Sequence, residues 1–166
     1  MILLFSFVGS SQDSLKYEEK PLYVGLGVGI DFGGFGGKLE YMFLDYGGLF
    51  VGGGYNLKGF GINGGVMLKA FPRKLLKPYL SVMYGHTGII VIENASQYNM
   101  TDYGFSLGTG IELKTRNLNA WQLGIVLPFR SDEFRDHFQD LKDNPDISLP
   151  GRLFPIGISV GFKIII

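Results

Sequence analysis

A strict alternation of residue types in two segments constrains the fold of this 166-residue chain more than any other feature. From Leu22 to Phe32 every second residue is large and apolar, and most of the residues between are glycine or polar. The last segment, Phe154 to Ile166, repeats this pattern. A strand places alternate side chains on opposite faces, whereas a helix with a period of 3.6 residues would mix the two sets. Both segments are therefore predicted to be β-strands with one apolar and one glycine-rich face.

Six more segments with similar patterns bring the number of predicted strands to eight. They cover residues 37–43, 47–55, 60–71, 79–88, 101–114 and 118–127. Their connections fall alternately into a short set (45–46, 72–78, 115–117) and a second set (33–36, 56–59, 89–100, 128–152) that includes the two longest. Connections of these lengths join antiparallel neighbours. The sequence therefore predicts an all-β fold, an eight-stranded antiparallel up-and-down barrel with its two longest loops at one end.

The composition of the two faces indicates which of them points outward. Only 18% of the residues are charged, against roughly a quarter in soluble domains, and 26 residues are glycine. A soluble barrel would carry many charged and hydroxyl side chains on its outer face, but here the polar face is chiefly glycine. The apolar face carries aromatic residues toward the strand ends, as the girdles of a transmembrane barrel require. They are Phe32, Phe43, Tyr55, Phe60, Phe71, Tyr103, Phe105, Trp121, Phe154 and Phe162.

Simple counts exclude several other classes. Fifteen basic and fifteen acidic residues cancel, so the chain lacks the charge excess of a nucleic-acid-binding protein. It has no cysteine and therefore no disulfide, thiol nucleophile or thiolate metal site. No apolar run approaches the roughly 18 residues of a membrane-spanning helix. If the chain crosses a membrane, it must do so with strands.

Six charged residues fall on the glycine-rich face and sum to zero: Asp31, Lys38, Glu40, Lys69, Glu112 and Lys163. Buried charges persist only when they are paired and hydrogen-bonded. We expect Asp31 and Lys38 to form a cluster at one end of the lumen and Lys69, Glu112 and Lys163 a cluster at the other, with Glu40, Asn63 and Gln122 between them. This network is either a static brace that holds the barrel closed or the gate of a narrow pore.

The lumen of an eight-stranded barrel is only wide enough for side chains to fill it, which excludes a large aqueous channel. The alternation directs five large side chains into it: Tyr23, Met42, Phe50, Met67 and Met83. The many inward glycines either permit tight curvature or leave a small cavity for a lipid-like ligand.

The 128–152 connection is the most distinctive loop. Phe134, Phe138 and Leu141 recur at helical spacing, so residues Asp132 to Lys142 are predicted to form a short amphipathic helix. The helix is either a solvated lid whose apolar stripe packs on the barrel rim or a docking surface, where clustered carboxylates could also hold a divalent cation that bridges to lipopolysaccharide phosphates. The outer-loop interaction candidates are Asp132, Glu133, Asp136, His137 and Asp140.

The N-terminal segment differs from the rest of the chain. Residues 1–11 are apolar and end in small residues, as in the remnant of a signal peptide, and residues 12–19 form a polar lead-in. We expect a single barrel domain over residues 20–166.

The strand pattern, this secretion-like start and the terminal strand Val160-Gly-Phe-Lys-Ile-Ile-Ile166 together resemble the small eight-stranded outer-membrane barrels of Gram-negative bacteria. That family includes outer-membrane proteins X and W and the membrane domain of outer-membrane protein A. The resemblance implies an outer-membrane location, chain ends in the periplasm, long loops facing outward and a terminal strand read by the barrel-assembly machinery.

The expected function is a non-enzymatic, structural or surface-interaction role for a monomeric integral outer-membrane protein. Its expected partners are outer-membrane lipid, lipopolysaccharide and the barrel-assembly machinery, with no cofactor, metal or nucleic acid. The alternative is a narrow pore or transporter for small or hydrophobic solutes. A lipid-modifying enzyme is a third interpretation, although His86-Thr87-Gly88 lacks the His-x-Ser spacing of the eight-stranded deacylases.

Overall fold

The computed structural model describes residues 22–56, 59–92, 98–115, 119–142 and 154–166. They form a closed barrel of eight antiparallel strands in chain order, which confirms the predicted fold and topology. The strands are β1 (Leu22–Gly29), β2 (Gly34–Met42), β3 (Gly47–Tyr55), β4 (Phe60–Lys69), β5 (Leu76–Ile90), β6 (Met100–Lys114), β7 (Ala120–Pro128) and β8 (Gly157–Ile165). The predicted leader 1–11 and lead-in 12–19 lie outside the described residues. None of the helices in the described ranges is long and apolar enough to cross a membrane.

The connections define two ends of the barrel. The loop end carries the links β1–β2, β3–β4, β5–β6 and β7–β8, and the turn end carries the other three. The two longest connections lie together at the loop end, as predicted. Strands β5 and β6 have 15 residues each and extend past their other neighbours, because β4 pairs with β5 only as far as Gly85 and β7 with β6 only as far as Ser106. Their paired ends form a hairpin that projects at the loop end.

The alternation sorts side chains between the two faces as the sequence predicts. Outward residues such as Leu26, Phe35 and Ile158 are 68%, 70% and 73% exposed. Of the predicted inward residues, Met42 is half-buried and the others are buried, where Phe50, Met67 and Met83 pack with Tyr79 and Val126 in the lumen. The barrel is therefore apolar outside and filled by side chains inside.

The first strand ends earlier than predicted, and this changes the position of Phe32. Residues Ile30–Phe32 form a 3-10 turn that folds into the lumen, so Phe32 is 1% exposed and does not belong to the outer aromatic set. The chain reverses here because Gly33 and Gly34 adopt φ angles of 70° and 114°, which disfavour residues with a side chain. The alternation continues through the turn and conceals it.

The inward glycines receive this inturned segment. A Cβ on Gly27 would lie 2.6 Å from the Phe32 ring, and one on Gly161 would overlap the same ring. A Cβ on Gly52 would overlap the carbonyl oxygen of Asp31. The space beside Gly27, Gly52 and Gly161 is therefore occupied by the inturned backbone and the Phe32 ring, where the sequence had suggested curvature or a ligand cavity.

The remaining differences from the predicted boundaries are small. Strand β2 begins at Gly34 instead of residue 37, β4 ends at Lys69 instead of 71, and β8 begins at Gly157 instead of 154. Strand β5 is longer at both ends than the predicted 79–88, and β6 begins one residue earlier than predicted. Strand β7 ends at Pro128, and its predicted first residue, Leu118, lies outside the described residues.

Candidate functional site in the lumen and at the loop end

Four of the predicted inward charges form one interlocked group near the turn end, here called the charge quartet: Glu40, Lys69, Glu112 and Lys163. Lys163 Nζ lies 2.9 Å from Glu40 Oε2 and 2.5 Å from Glu112 Oε2. Lys69 Nζ lies 2.8 Å from Glu112 Oε2 and also pairs with Glu40. Each lysine thus bridges both carboxylates, and no side chain of the quartet is more than 3% exposed.

The quartet residues come from β2, β4, β6 and β8, one from each even-numbered strand. In small barrels the inward side chains of alternate strands meet in layers across the lumen. Acidic and basic residues alternate around this layer, so each charge has two neighbours of the opposite sign. The Tyr23 ring covers the layer, with its centroid 4.8 Å from Lys69 Nζ and 5.0 Å from Lys163 Nζ.

A second group, the aspartate cluster, lies around the inturned turn and consists of Asp31, Lys38, Tyr79, Gln122 and Ser159. Lys38 Nζ donates to Asp31 Oδ2 at 2.7 Å and to Gln122 Oε1 at 2.8 Å. Ser159 Oγ donates to Asp31 Oδ1 at 2.5 Å, and Gln122 Nε2 donates to the Tyr79 hydroxyl at 3.0 Å. These bonds hold the turn to strands β2, β7 and β8.

The structure assigns the three expected bridging residues to different places. Glu40 belongs to the charge quartet, and Gln122 belongs to the aspartate cluster. Asn63 Nδ2 donates to the carbonyl oxygen of Ile30 at 2.5 Å and so anchors the inturned turn to β4. The cluster expected at the turn end is present and also includes Glu40. The Asp31–Lys38 cluster lies in the middle of the barrel instead of at the loop end, because the turn carries Asp31 inward and Lys38 is the central residue of β2.

The predicted helix in the long loop, α1 (Asp132–Lys142), has the expected bounds. Its start is fixed by Asp102 on the projecting hairpin. Asp102 Oδ1 accepts a hydrogen bond from Ser131 Oγ at 2.8 Å, and Oδ2 accepts from Thr87 Oγ1 at 2.7 Å. Ser131 Oγ in turn accepts from the backbone N–H of Phe134 at 3.1 Å, which caps the helix.

The apolar stripe of α1 packs against the projecting hairpin. Phe134, Phe138 and Leu141 are buried with Ile90, and Ile92 and Met100 pack at the edge of this cluster. Beside it, the Nη1 atom of Arg130 donates to the carbonyl oxygen of Phe154 at 2.8 Å. Partial burial lowers the pKa of Arg130, although the neighbouring Asp102 carboxylate opposes this shift. The helix is therefore docked on the barrel by its apolar side.

The outer-loop candidates lie on the other side of the helix. Asp132, Glu133, Asp136 and Asp140 are exposed, and Asp132 pairs with Arg135. His137 is half-buried, and its Nε2 atom lies 3.0 Å from the carbonyl oxygen of Tyr98. Within the described ranges, no three His, Asp or Glu side chains are placed to hold a metal ion. The acidic face is thus a solvated surface with one link to the β5–β6 loop.

Sequence reasoning missed several buried polar residues. Lys77 was assigned to a connection, but it lies in β5 opposite Glu112 and is 1% exposed. Extending the alternation back from Tyr79 would have placed it inward. Asp102 and Glu112 both occupy even-numbered positions of β6 and therefore point to the same, inward face. The same rule would have found Asp102. Ser159 shares its face with Lys163, and Ser131 directly precedes the predicted helix. Their partners, Asp31 and Asp102, could not be inferred because they are distant in the chain.

His86 is a buried residue of strand β5. It is 8% exposed, and neither ring nitrogen has a hydrogen-bond partner among the described residues. The Tyr103 ring stands edge-on to the His86 ring, with 6.3 Å between the centroids. The hydroxyls of Thr87 and Ser131 are both directed to Asp102.

No protein-family model, no curated protein and no solved structure matches this chain.

Removing one carboxylate from the charge quartet will be costly. Glu112→Gln leaves two buried lysines sharing Glu40, and we expect the free energy of unfolding to fall by about 3–5 kcal/mol in urea titrations. Asp132→Asn, which breaks only the exposed pair with Arg135, should change it by less than about 1 kcal/mol. The double variant Glu112→Gln/Lys163→Gln restores neutrality and should regain part of the loss. Additive losses in the double variant would contradict coupling within the quartet.

Removing the Asp102 carboxylate should release α1 without unfolding the barrel. Asp102→Asn loses the acceptors for Thr87 and Ser131, and hydrogen bonds to a buried charge are worth enough to raise the open population about tenfold. Limited trypsin digestion should then cleave after Arg135 and Lys142 about ten times faster. Asp140→Asn, on the exposed side of the same helix and not adjacent to either scissile bond, is the control and should leave the rate unchanged. Equal rates for the two variants would show that Asp102 does not anchor the helix.

Proposed function

We propose that this chain is an integral β-barrel protein of the outer membrane of a Gram-negative bacterium, with a structural or surface-interaction role and no enzymatic activity. The observation that carries the proposal is the reversed polarity of the barrel. Its outer wall is made of large apolar side chains, whereas five charged strand residues lie inside and form ion pairs: Lys38, Glu40, Lys69, Glu112 and Lys163. A soluble barrel has the opposite arrangement, because water must cover its exterior.

The dimensions and the aromatic rows agree with a membrane environment. Six of the strands have 8 to 10 residues, close to the roughly 9–11 that a tilted strand needs to cross a bilayer. Exposed aromatic residues lie toward both ends. Those toward the loop end include Phe35, Tyr55, Phe60, Tyr103 and Phe154, and those toward the turn end include Tyr41, Phe43, Tyr46, Phe71 and Trp121.

The loop end supports a role in surface interaction. The projecting hairpin and α1 form a packed unit that presents Asp132, Glu133, Asp136 and Asp140 to solvent. In the proposed orientation this end faces outward, and its partners are lipopolysaccharide and the outer leaflet. Folding would depend on the barrel-assembly machinery, and the protein would act as a monomer.

Membrane insertion is tested by flotation. Chain diluted from urea into phosphatidylcholine vesicles should float with them in a density gradient, and purified protein should require detergent to stay monodisperse. Ile125→Arg, in the outer wall of β7, should lower stability by about 2–4 kcal/mol, whereas Phe154→Arg at the loop end should cost about 0–1 kcal/mol. A monodisperse protein in detergent-free buffer that does not float would contradict the proposal.

We also propose that the lumen does not conduct. The charge quartet, Tyr23 and the inturned Phe32 fill the interior at successive levels, and each is almost fully buried. Planar-bilayer recordings of the wild-type protein and of Glu112→Ala should show no single-channel steps. Steps of constant size in the wild type would favour the narrow pore instead.

A further inference from the structure

The turn between β4 and β5, residues 70–75, presents two positive charges at the turn end of the barrel. Arg73 and Lys74 are both exposed, and neither forms an ion pair with a described residue. In the described parts of the three turns at this end, Asp45 is the only acid. The β4–β5 turn is therefore a basic surface without a counter-charge from its own barrel.

The backbone of this turn is strained at Phe71. Its φ angle is 53°, the only positive value at a residue other than glycine in the described ranges. A left-handed backbone is unfavourable for a bulky side chain and persists only where the surrounding structure imposes it. Continued strand alternation would direct Phe71 inward after Met67 and Lys69, yet its ring is 58% exposed. The strained turn thus keeps a phenyl ring at the surface.

The ring and the two cations lie together at the edge of the apolar wall. Lys74 Nζ is 4.9 Å from the centroid of the Phe71 ring, and the Lys74 N–H donates to the carbonyl oxygen of Phe71 at 2.9 Å. Leu76 follows the turn directly and begins an outward cross-strand row that continues through Leu113 and Trp121. Aromatic residues such as Trp121 mark the interface of a membrane. The turn therefore places positive charge and an apolar ring at the level of lipid headgroups.

This combination fits an anionic phospholipid better than other anions. Arg and Lys donate charge-assisted hydrogen bonds to phosphate, and each such residue near a membrane raises the affinity for anionic lipid about fivefold. A soluble phosphate would use the cations but would not contact the ring and the leucine row. A second copy of the chain would bring the same positive turn and be repelled. In the proposed orientation the turn end lies in the phospholipid leaflet, since lipopolysaccharide forms the outer one.

We propose that the β4–β5 turn binds the headgroup of an anionic phospholipid of the periplasmic leaflet. Arg73 and Lys74 hold the phosphate, and the acyl chains lie along the wall beside Leu76. The Phe71 ring holds the Lys74 ammonium at headgroup level through a cation–π contact, which gives the strained backbone a use. The inference rests on the proposed membrane location and orientation, and it adds a class of lipid and the residues that recognise it.

The test removes the two charges and compares the result with an equal change at the other end of the barrel. Arg73→Gln/Lys74→Gln neutralises the turn. Arg135→Gln/Lys142→Gln also removes one arginine and one lysine, but from the exposed side of α1, and is the matched control. Phe71→Gly removes the ring and suits the left-handed backbone, so the turn itself is kept.

Each protein is inserted into vesicles of equimolar phosphatidylglycerol and phosphatidylcholine, extracted with a non-ionic detergent and analysed by native mass spectrometry for retained lipid. We expect the wild type and the α1 control to retain phosphatidylglycerol in preference to phosphatidylcholine. Arg73→Gln/Lys74→Gln should reduce this preference about thirtyfold, the product of two fivefold contributions. Phe71→Gly should reduce it about two- to fivefold, because Lys74 loses its cation–π contact.

A turn variant that keeps the preference, or a wild type that has none, would overturn the proposal. Unchanged retention in Phe71→Gly would overturn the role given to the ring. Water-soluble glycerophosphoglycerol at the concentration of the lipid should not displace it, because it lacks acyl chains; complete displacement would overturn the proposal in favour of a site for free phosphate esters. Failure of every protein to enter vesicles would instead refute the proposed function.

Discussion

The rest of the structure depends on the narrowness of an eight-stranded barrel, whose interior can be filled only by side chains. A charged side chain inside the lumen needs partners within the protein, because little water is present there to solvate it. The charge quartet meets the condition by drawing one residue from each even-numbered strand, so that each lysine contacts two carboxylates. The aspartate cluster meets it differently, because Asp31 arrives on an inturned loop and bonds to Lys38 and Ser159.

The alternation of side chains along each strand made much of this interior predictable from sequence, because it alone decides which side chains point inward. It identified all four quartet residues and both charges of the aspartate cluster. The alternation did not define the position of these residues along the barrel axis. Glu40 looked central in a strand predicted to span 37–43, but β2 spans Gly34–Met42, so Glu40 lies near the turn end and joins Lys69 and Lys163. Partner assignment therefore depends on strand ends and register, which periodicity does not define.

Periodicity was also misleading where residues outside a strand continue the alternation of the neighbouring strand. Ile30, Asp31 and Phe32 continue the alternation, yet they form a 3-10 turn, and the only local signal is the Gly33-Gly34 pair that follows. Lys77 was missed for the opposite reason. The sequence analysis placed it in a connection, but it lies in strand β5, which begins before it. The bounds of α1 were predicted correctly, because the helical spacing of its apolar residues differs clearly from the two-residue alternation of the strands.

Glycine has opposite effects on the two faces of the wall. Inward glycines such as Gly27 and Gly161 create room that the Phe32 ring fills, so a loop completes the core where side chains are absent. Outward Gly37 leaves the wall open, since a Cβ there would meet only the carbonyl oxygen of Gly25, whereas the Phe60 ring covers Gly53. A packed interior leaves little scope for change, because its ion pairs and large side chains already fill the lumen. Variation in function therefore has more scope on the outside, such as on the acidic face of α1, where new contacts can form without disturbing the barrel.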